Sequence, residues 1–214
     1  MKALVTGFDA FGGDAVNPSA LAVRRLKRKV GRLAIHTAIL PTSYARSAIT
    51  LRGAILEVQP DIVLCVGQAG GRSELSLERV AINVQDARIK DNDGRQPVDQ
   101  PVVRDGAPAH FTTLPIKACV AELRRAGLPA GVSNSAGTFV CNHVFYALMD
   151  MAGRHGLAFR GGFMHIPYVP EQAALIPTGA PSMSVDDIVR GIEITVAVSA
   201  ARATDVHTAE GRIS

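Results

Sequence analysis

Apolar positions along this chain fall into two alternating patterns. Short apolar runs at residues 3–6, 33–40, 62–66, 130–133 and 159–165 read as strands. Between them lie stretches whose apolar residues recur three and four apart, the period of an amphipathic helix. These cover residues 17–29, opened by the capping sequence Asn17-Pro18-Ser19, and residues 43–58, with Ala45, Ala48, Ile49 and Ile55 in one stripe. Further helices are predicted at 116–126, at 141–155 with Val144, Ala147, Leu148 and Met151 on one face, and at 184–202 with Asp186 and Asp187 in the first turn. Residues 75–89 alternate as a hairpin or mixed strand would. Asp91-Asn92-Asp93-Gly94 is a strong turn signal inside a polar stretch, 90–108, which has little regular pattern and reads as a mobile loop or an assembly arm. Residues 205–214 read as a flexible tail. Repeated strand–helix alternation predicts an α/β fold with a largely parallel, twisted sheet, and no linker or repeat divides residues 1–214 into two domains.

Composition narrows this reading only a little. A chain of 214 residues holds one well-formed core, and with no Trp that core must be built from Ala, Val, Leu and Ile. No run approaches the ~18 apolar residues of a membrane span, and the N-terminus reads as a first strand rather than a secretory signal. The expectation is a cytoplasmic protein with no membrane partner. The net charge of +4 is concentrated at residues 24–32. That run lacks the aromatics that stack on bases, so it reads as a solvated helix end, not a nucleic-acid surface. Three cysteines, an odd number, argue against a disulfide framework. No metal-binding spacing of His and Cys is present, so neither metal nor cofactor is expected.

Chemistry concentrates on Cys141. It follows the strand at 130–133 and a small, turn-prone cluster, at the start of a helix. Unpaired N–H groups and the positive dipole end there favour a thiolate nucleophile and can receive an oxyanion. A small buried hydrophobe is the equal alternative. Of six histidines, His36, His110 and His207 carry no chemical signal, and His155 reads as a helix C-terminal cation. His143 lies about 200° around the helix from Cys141. His165 ends an apolar strand, and ligands of open α/β sheets collect at strand carboxyl ends, so His165 and Cys141 are expected to share one rim. Glu78 enters a buried strand and needs a partner, which His165, Arg72 or Arg79 could supply, so an ordinary ion pair stays open. Phe8 and Phe11, set among Gly7, Gly12 and Gly13, suggest an apolar pocket wall. Gln68 in Gly67-Gln68-Ala69-Gly70-Gly71-Arg72 offers a donor and acceptors to a neutral polar ligand.

The segments GFDAFGG, GQAGGR, DARIKDNDGRQP, SNSAGTFVCNHVFYALMD and GGFMHIPYVPEQ, in order, resemble pyroglutamyl peptidase I, the pyrrolidone-carboxylate peptidases, a cysteine peptidase family. The resemblance spans residues 2–202. It implies an α/β/α sandwich, no metal, a cytosolic homotetramer, and release of N-terminal pyroglutamate from peptides through a thioester. It also implies a triad of Cys141, His165 and Glu78. The acyl group is a flat neutral lactam, which suits apolar faces from Phe8 and Phe11, with Phe139 and Val140 beside the nucleophile and Gln68 hydrogen-bonded to the lactam. Arg88 resembles a family arginine near the scissile carbonyl, an oxyanion partner. Ala10 and Lys90 stand where the family often has proline, and Ser135 where threonine is common. The competing readings are another thiol amidase with a different small acyl group, a nucleic-acid binder using residues 24–32, and a nucleoside- or phosphate-binding enzyme of like architecture.

Overall fold

The structure, a computed structural model, describes residues 1–154 and 157–211. The chain runs β1 (Lys2–Phe8), α1 (Pro18–Arg25), β2 (Lys29–Val30), β3 (Leu33–Leu40), α2 (Ser47–Val58), β4 (Ile62–Gln68), β5 (Leu75–Glu78), β6 (Val80–Ile82) and β7 (Ala109–Phe111). It continues through α3 (Ile116–Arg125), β8 (Ala130–Ser133), α4 (Val140–Arg154), β9 (Arg160–Ile166), α5 (Pro170–Ala173) and α6 (Val185–Ala201). Seven strands form one mixed sheet in the order β2-β3-β1-β4-β9-β5-β8. Strands β3, β1, β4 and β9 are mutually parallel, whereas β5 and β8 are parallel to each other and β5 is antiparallel to β9.

Successive strand residues point to opposite faces, and both faces are apolar, so each needs a layer of helices. Ala3, Val5, Ile62, Leu64, Val66 and Met164 pack with α1, α3 and α6. Leu4, Val63, Cys65 and Phe163 pack with α2 and α4. The result is the expected α/β/α sandwich. The second face is the one that matters for chemistry, because it carries the odd-numbered residues of β4 and β9.

Several elements differ from the pattern-based expectation. Helix α1 stops at Arg25, and Lys29–Val30 adds a short antiparallel edge to β3. The basic run is partly neutralised on α6, through Arg25 to Asp186 at 2.5 Å and Lys27 to Glu193 at 2.9 Å. Helix α2 starts at Ser47 rather than 43. The alternation over 75–89 is not one hairpin: β5 joins the central sheet, while β6 pairs with β7 in a separate two-stranded sheet. Segment 90–108 is not a free arm, since Gln85 bridges to Gln100 and the Asn83 side chain exchanges hydrogen bonds with Val103. His155, read as a helix-end cation, falls outside the described residues.

The expected tail is also tied down where it is described. The Asp205 carboxylate accepts the backbone N–H groups of Lys117 and Ala118, at 3.0 and 2.9 Å. Those are first-turn donors of α3, whose own flanking residue, Pro115, supplies no side-chain cap. Glu210 pairs with Arg124 at 2.6 Å. Asp205→Ala is therefore expected to lower unfolding stability by about 1 kcal/mol, the usual loss on removing a cap. Urea denaturation reads this directly, and an unchanged midpoint would mean the 205–211 segment does not support α3.

Candidate active site

Sheet register brings Glu78 and His165 together. His165 lies opposite Gly67 on β4 and opposite Ser76 on β5, and Glu78 lies opposite Phe163. Glu78 is thus a diagonal neighbour of His165 on the α4 face, within side-chain reach. His165 Nδ1 stands 2.7 Å from Glu78 Oε1. A carboxylate only accepts, so Nδ1 carries the proton and Nε2 is left as the basic nitrogen. Glu78 is fully buried and His165 nearly so. Arg72, from the loop after β4, donates to the same oxygen at 2.7 Å and braces itself on the Ser135 carbonyl at 3.2 Å. Two of the three partners considered for Glu78 are therefore present at once. Arg79, the third, bonds instead to Asn134 and to the Glu210 carbonyl. Glu78 Oε2 is buried with no hydrogen-bond partner.

Gly67 positions the thiol. A Cβ built there would stand 2.8 Å from Cys141 Sγ and 2.9 Å from the Phe163 ring. The sulfur therefore occupies the space left by a missing side chain, one strand spacing from His165. Cys141 and Gly67, the neighbour of His165, meet although the strands before Cys141 and through His165 do not end on the same edge. Strand β8 runs opposite to β9, and Ser133 and Phe163 both flank Glu78, two residues short of His165. Residues 134–139 carry the chain on to the start of α4.

Polar clamps hold that start in place. The Phe139 carbonyl accepts the first intrahelical bond, from His143 at 3.1 Å. The Thr138 hydroxyl donates to the Asp86 carbonyl at 2.7 Å, and the Asp86 N–H returns to the Thr138 carbonyl at 3.1 Å. Fully buried Asn142 accepts from the Ile82 N–H and donates to the Ile82 and Val84 carbonyls. These positioning roles of Asn142, Thr138 and Asp86 escaped the sequence reading. Their one local signal is an asparagine, a poor helix former, in the first turn of a helix.

Cys65 and Cys119 are buried, and Cys141 is the partly exposed thiol. Electrostatics at Cys141 differ from the expectation of a favoured thiolate. Burial and then the Glu78 carboxylate push its pKa up to about 12, with Arg72 opposing. The helix terminus does not overcome that desolvation. Burial raises Cys65 and Cys119 to about 12 as well, so exposure and neighbours, not acidity, single out Cys141. His143 is buried against the edge of Tyr44, with both ring nitrogens unpartnered, and burial lowers its pKa to about 4.

The residues expected to bind a ligand fall in three groups. Phe11 and Phe139 meet at 5.8 Å with their rings tilted by 37°, and Tyr44 meets Phe139 edge-on at 5.7 Å. Phe11 and Phe139 touch each other, so they make one wall and not two jaws. Phe8 is buried against Phe163, and Val140 is buried in the same core cluster, on which Phe139 packs. Gln68 is largely committed elsewhere: its Nε2 donates to Asp14 at 3.0 Å and its Oε1 accepts from Gln172 at 3.1 Å. One Nε2 hydrogen remains for a ligand. Arg88 is exposed, two positions from the Asp86 clamp; its carbonyl accepts from Gln96 Nε2 at 3.2 Å, and its guanidinium makes no hydrogen bond or ion pair among the described residues. The described residues hold no cluster of His, Cys, Asp and Glu suited to a metal. No described helix is long and apolar enough to cross a membrane.

Known proteins resemble this chain over almost its whole length. The family model described as pyroglutamyl peptidase matches residues 1–203. The chain is 53% identical over 211 residues to pyrrolidone-carboxylate peptidase 1 of Ralstonia nicotianae, covering 98% of each chain. It superposes on the crystal structure of pyroglutamyl peptidase I from Bacillus amyloliquefaciens with a TM-score of 0.94 at 48% identity, covering 97% of this chain and 99% of that one. The pyrrolidone carboxyl peptidase of Thermococcus litoralis gives a TM-score of 0.92 at 36% identity, over 97% and 99%.

The raised thiol pKa has a direct consequence. A thiol held up near 12 stays mostly protonated through neutral pH, so iodoacetamide alkylation should accelerate about tenfold per pH unit from 7 to 10. A rate that levels off below pH 9 would instead reveal a preformed thiolate–imidazolium pair.

Proposed function

This chain belongs to the pyroglutamyl peptidase family, and from that premise we propose that it works as a single-domain peptidase through Cys141, His165 and Glu78 by way of a thioester. As a family member it is a thiol-dependent hydrolase that removes N-terminal pyroglutamate. The observation that carries the residue assignment is the Glu78–His165 contact of 2.7 Å beside a sulfur seated over Gly67.

In this mechanism Glu78 holds the imidazole with Nδ1 protonated, so Nε2 faces the nucleophile. The resting thiol is neutral, so its proton passes to Nε2 as sulfur attacks the pyroglutamyl carbonyl. The oxyanion is received by the free N–H of Cys141 in the first turn of α4 and by the unpartnered Arg88 guanidinium. The imidazolium then protonates the leaving amine. Water deprotonated by Nε2 cleaves the thioester and restores the thiol.

Substrate recognition follows from the chemistry of the lactam, which is flat and uncharged and has no free α-amine. The Phe11–Phe139 wall, with Phe139 packed on the core cluster that holds Phe8 and Val140, offers an apolar face. The remaining Gln68 hydrogen is available to the lactam carbonyl. A protonated N-terminal amine finds no carboxylate in that wall, and its desolvation is uncompensated. The working form proposed is a cytoplasmic homotetramer acting on peptides, without cofactor, nucleic acid or membrane.

Hydrolysis of pyroglutamyl, prolyl and alanyl chromogenic amides tests the reading. Only the pyroglutamyl amide should turn over, and Cys141→Ala should abolish turnover with circular dichroism unchanged. Full activity in Cys141→Ala would remove the nucleophile assignment, and a preference for another acyl group would favour a different thiol amidase. Glu78→Gln should cost less than His165→Ala, because the amide oxygen still accepts from Nδ1. The reverse order of kcat losses would overturn the role given to Glu78.

A further inference from the structure

The turn at 91–94 is wired to both sides of the acyl pocket. Asp91 is 5% exposed, and its carboxylate accepts three backbone N–H groups: Tyr44 on Oδ2 at 2.9 Å, with Asp93 and Arg95 on Oδ1 at 3.0 and 2.8 Å. The Asn92 N–H donates to the Thr42 carbonyl at 3.0 Å. The turn's backbone is thereby fastened to residues 42–44. From there Tyr44 reaches the nucleophile helix, since its hydroxyl donates to the Thr138 carbonyl at 3.2 Å and its ring abuts Phe139.

The Asn92 side chain points the other way. Its Nδ2 donates to the Ala10 carbonyl at 2.8 Å and to Asp9 Oδ1 at 3.2 Å. Asp9 is held independently, by the Thr42 N–H on Oδ1 at 2.7 Å and by its own N–H on Leu40 at 3.0 Å. Ala10 is not: Asn92 supplies the hydrogen bond to its carbonyl found among the described residues. Beyond Phe11, Gly12 and Gly13, at φ 65° and 89°, form a turn closed by the Asp14 N–H on the Phe11 carbonyl at 3.1 Å. Phe11 therefore sits between a tight glycine turn on one side and, on the other, a residue whose carbonyl is tethered by Asn92.

We propose that Asn92 is a positioning residue for the acyl group, which through the Ala10 carbonyl holds Phe11 against Phe139 and so preforms the wall that the lactam ring meets. It acts on binding of the acyl group and not on the sulfur, because none of its contacts reaches Cys141, His165 or Glu78. The inference rests on the proposed role of Phe11 as a wall of the acyl pocket. An exposed asparagine in a surface turn thus tunes affinity without touching substrate.

The test compares wild type, Asn92→Ala, Phe11→Ala and the double variant on a pyroglutamyl chromogenic amide, with iodoacetamide alkylation of Cys141 and thermal melting alongside. Asn92→Ala should raise KM about fivefold, the worth of one neutral hydrogen bond. Its kcat and alkylation rate should stay within about twofold of wild type. In the Phe11→Ala background the same change should leave KM within about twofold, since the tether then has nothing to hold. Asn92→Asp keeps the shape but replaces the donor with a charge beside Asp9, and should raise KM at least as much. An unchanged KM in folded Asn92→Ala, an effect that persists in Phe11→Ala, or a parallel fall in kcat and alkylation would overturn the proposal. A wild-type protein inactive on the pyroglutamyl amide would instead overturn the acyl-pocket reading beneath it.

Discussion

Glu78 places a carboxylate on the α4-facing side of the sheet where no water reaches it. Removing one partner from a buried charge pair costs about 3–5 kcal/mol, so the surrounding structure is organised to supply partners. His165 is delivered by the antiparallel pairing of β5 with β9, and Arg72 by the loop that leaves β4. Both donate to the same oxygen. That shared acceptor couples imidazole orientation to the glycine-rich loop, because Arg72 can reach Glu78 only if residues 69–72 turn back over the sheet. The histidine partner and the arginine ion pair, alternatives in the sequence, are here one cluster.

The thiol is placed by exclusion rather than by attraction. Gly67 leaves a gap beside Phe163, and the sulfur fills it. Such a seat is apolar, and desolvation there outweighs both the helix terminus and Arg72. The consequence is a thiol held neutral at rest, which reacts slowly with reagents that require thiolate and faster as pH rises. Clamps from Asn142, Thr138 and Asp86 then fix the helix start, so the sulfur's position depends on segment 82–88 as much as on α4 itself. The small β6–β7 sheet matters for this reason, since it anchors that segment.

Local patterns located β3 and β8 with their observed ends because each is a short apolar run bounded by turn residues. They failed where one alternating stretch served two sheets, at 75–82, since alternation reports the period of a strand and not its partner. The polar turn at 91–94 was recognised as a turn. Its role was invisible, because Asp91 and Asn92 bind residues 47 and 82 positions away. Gln68 shows the opposite error: a free carboxamide in the sequence is mostly consumed by Asp14 and Gln172 in the fold.

By itself the sequence determined the kinds of element, their order, and the residue types able to act as nucleophile, base and orienting acid. Those properties are written in local periodicity and in side-chain chemistry, and the ordered motifs around Cys141, His165 and Glu78 added the family resemblance. Tertiary structure alone decided that β5 and β8 run against β9, that Glu78 sits diagonal to His165, and that Arg72 joins them. It also decided that the Cys141 thiol is raised rather than lowered. Each of these depends on strand register, on through-space charge and on desolvation, among residues distant in sequence, which local pattern does not encode.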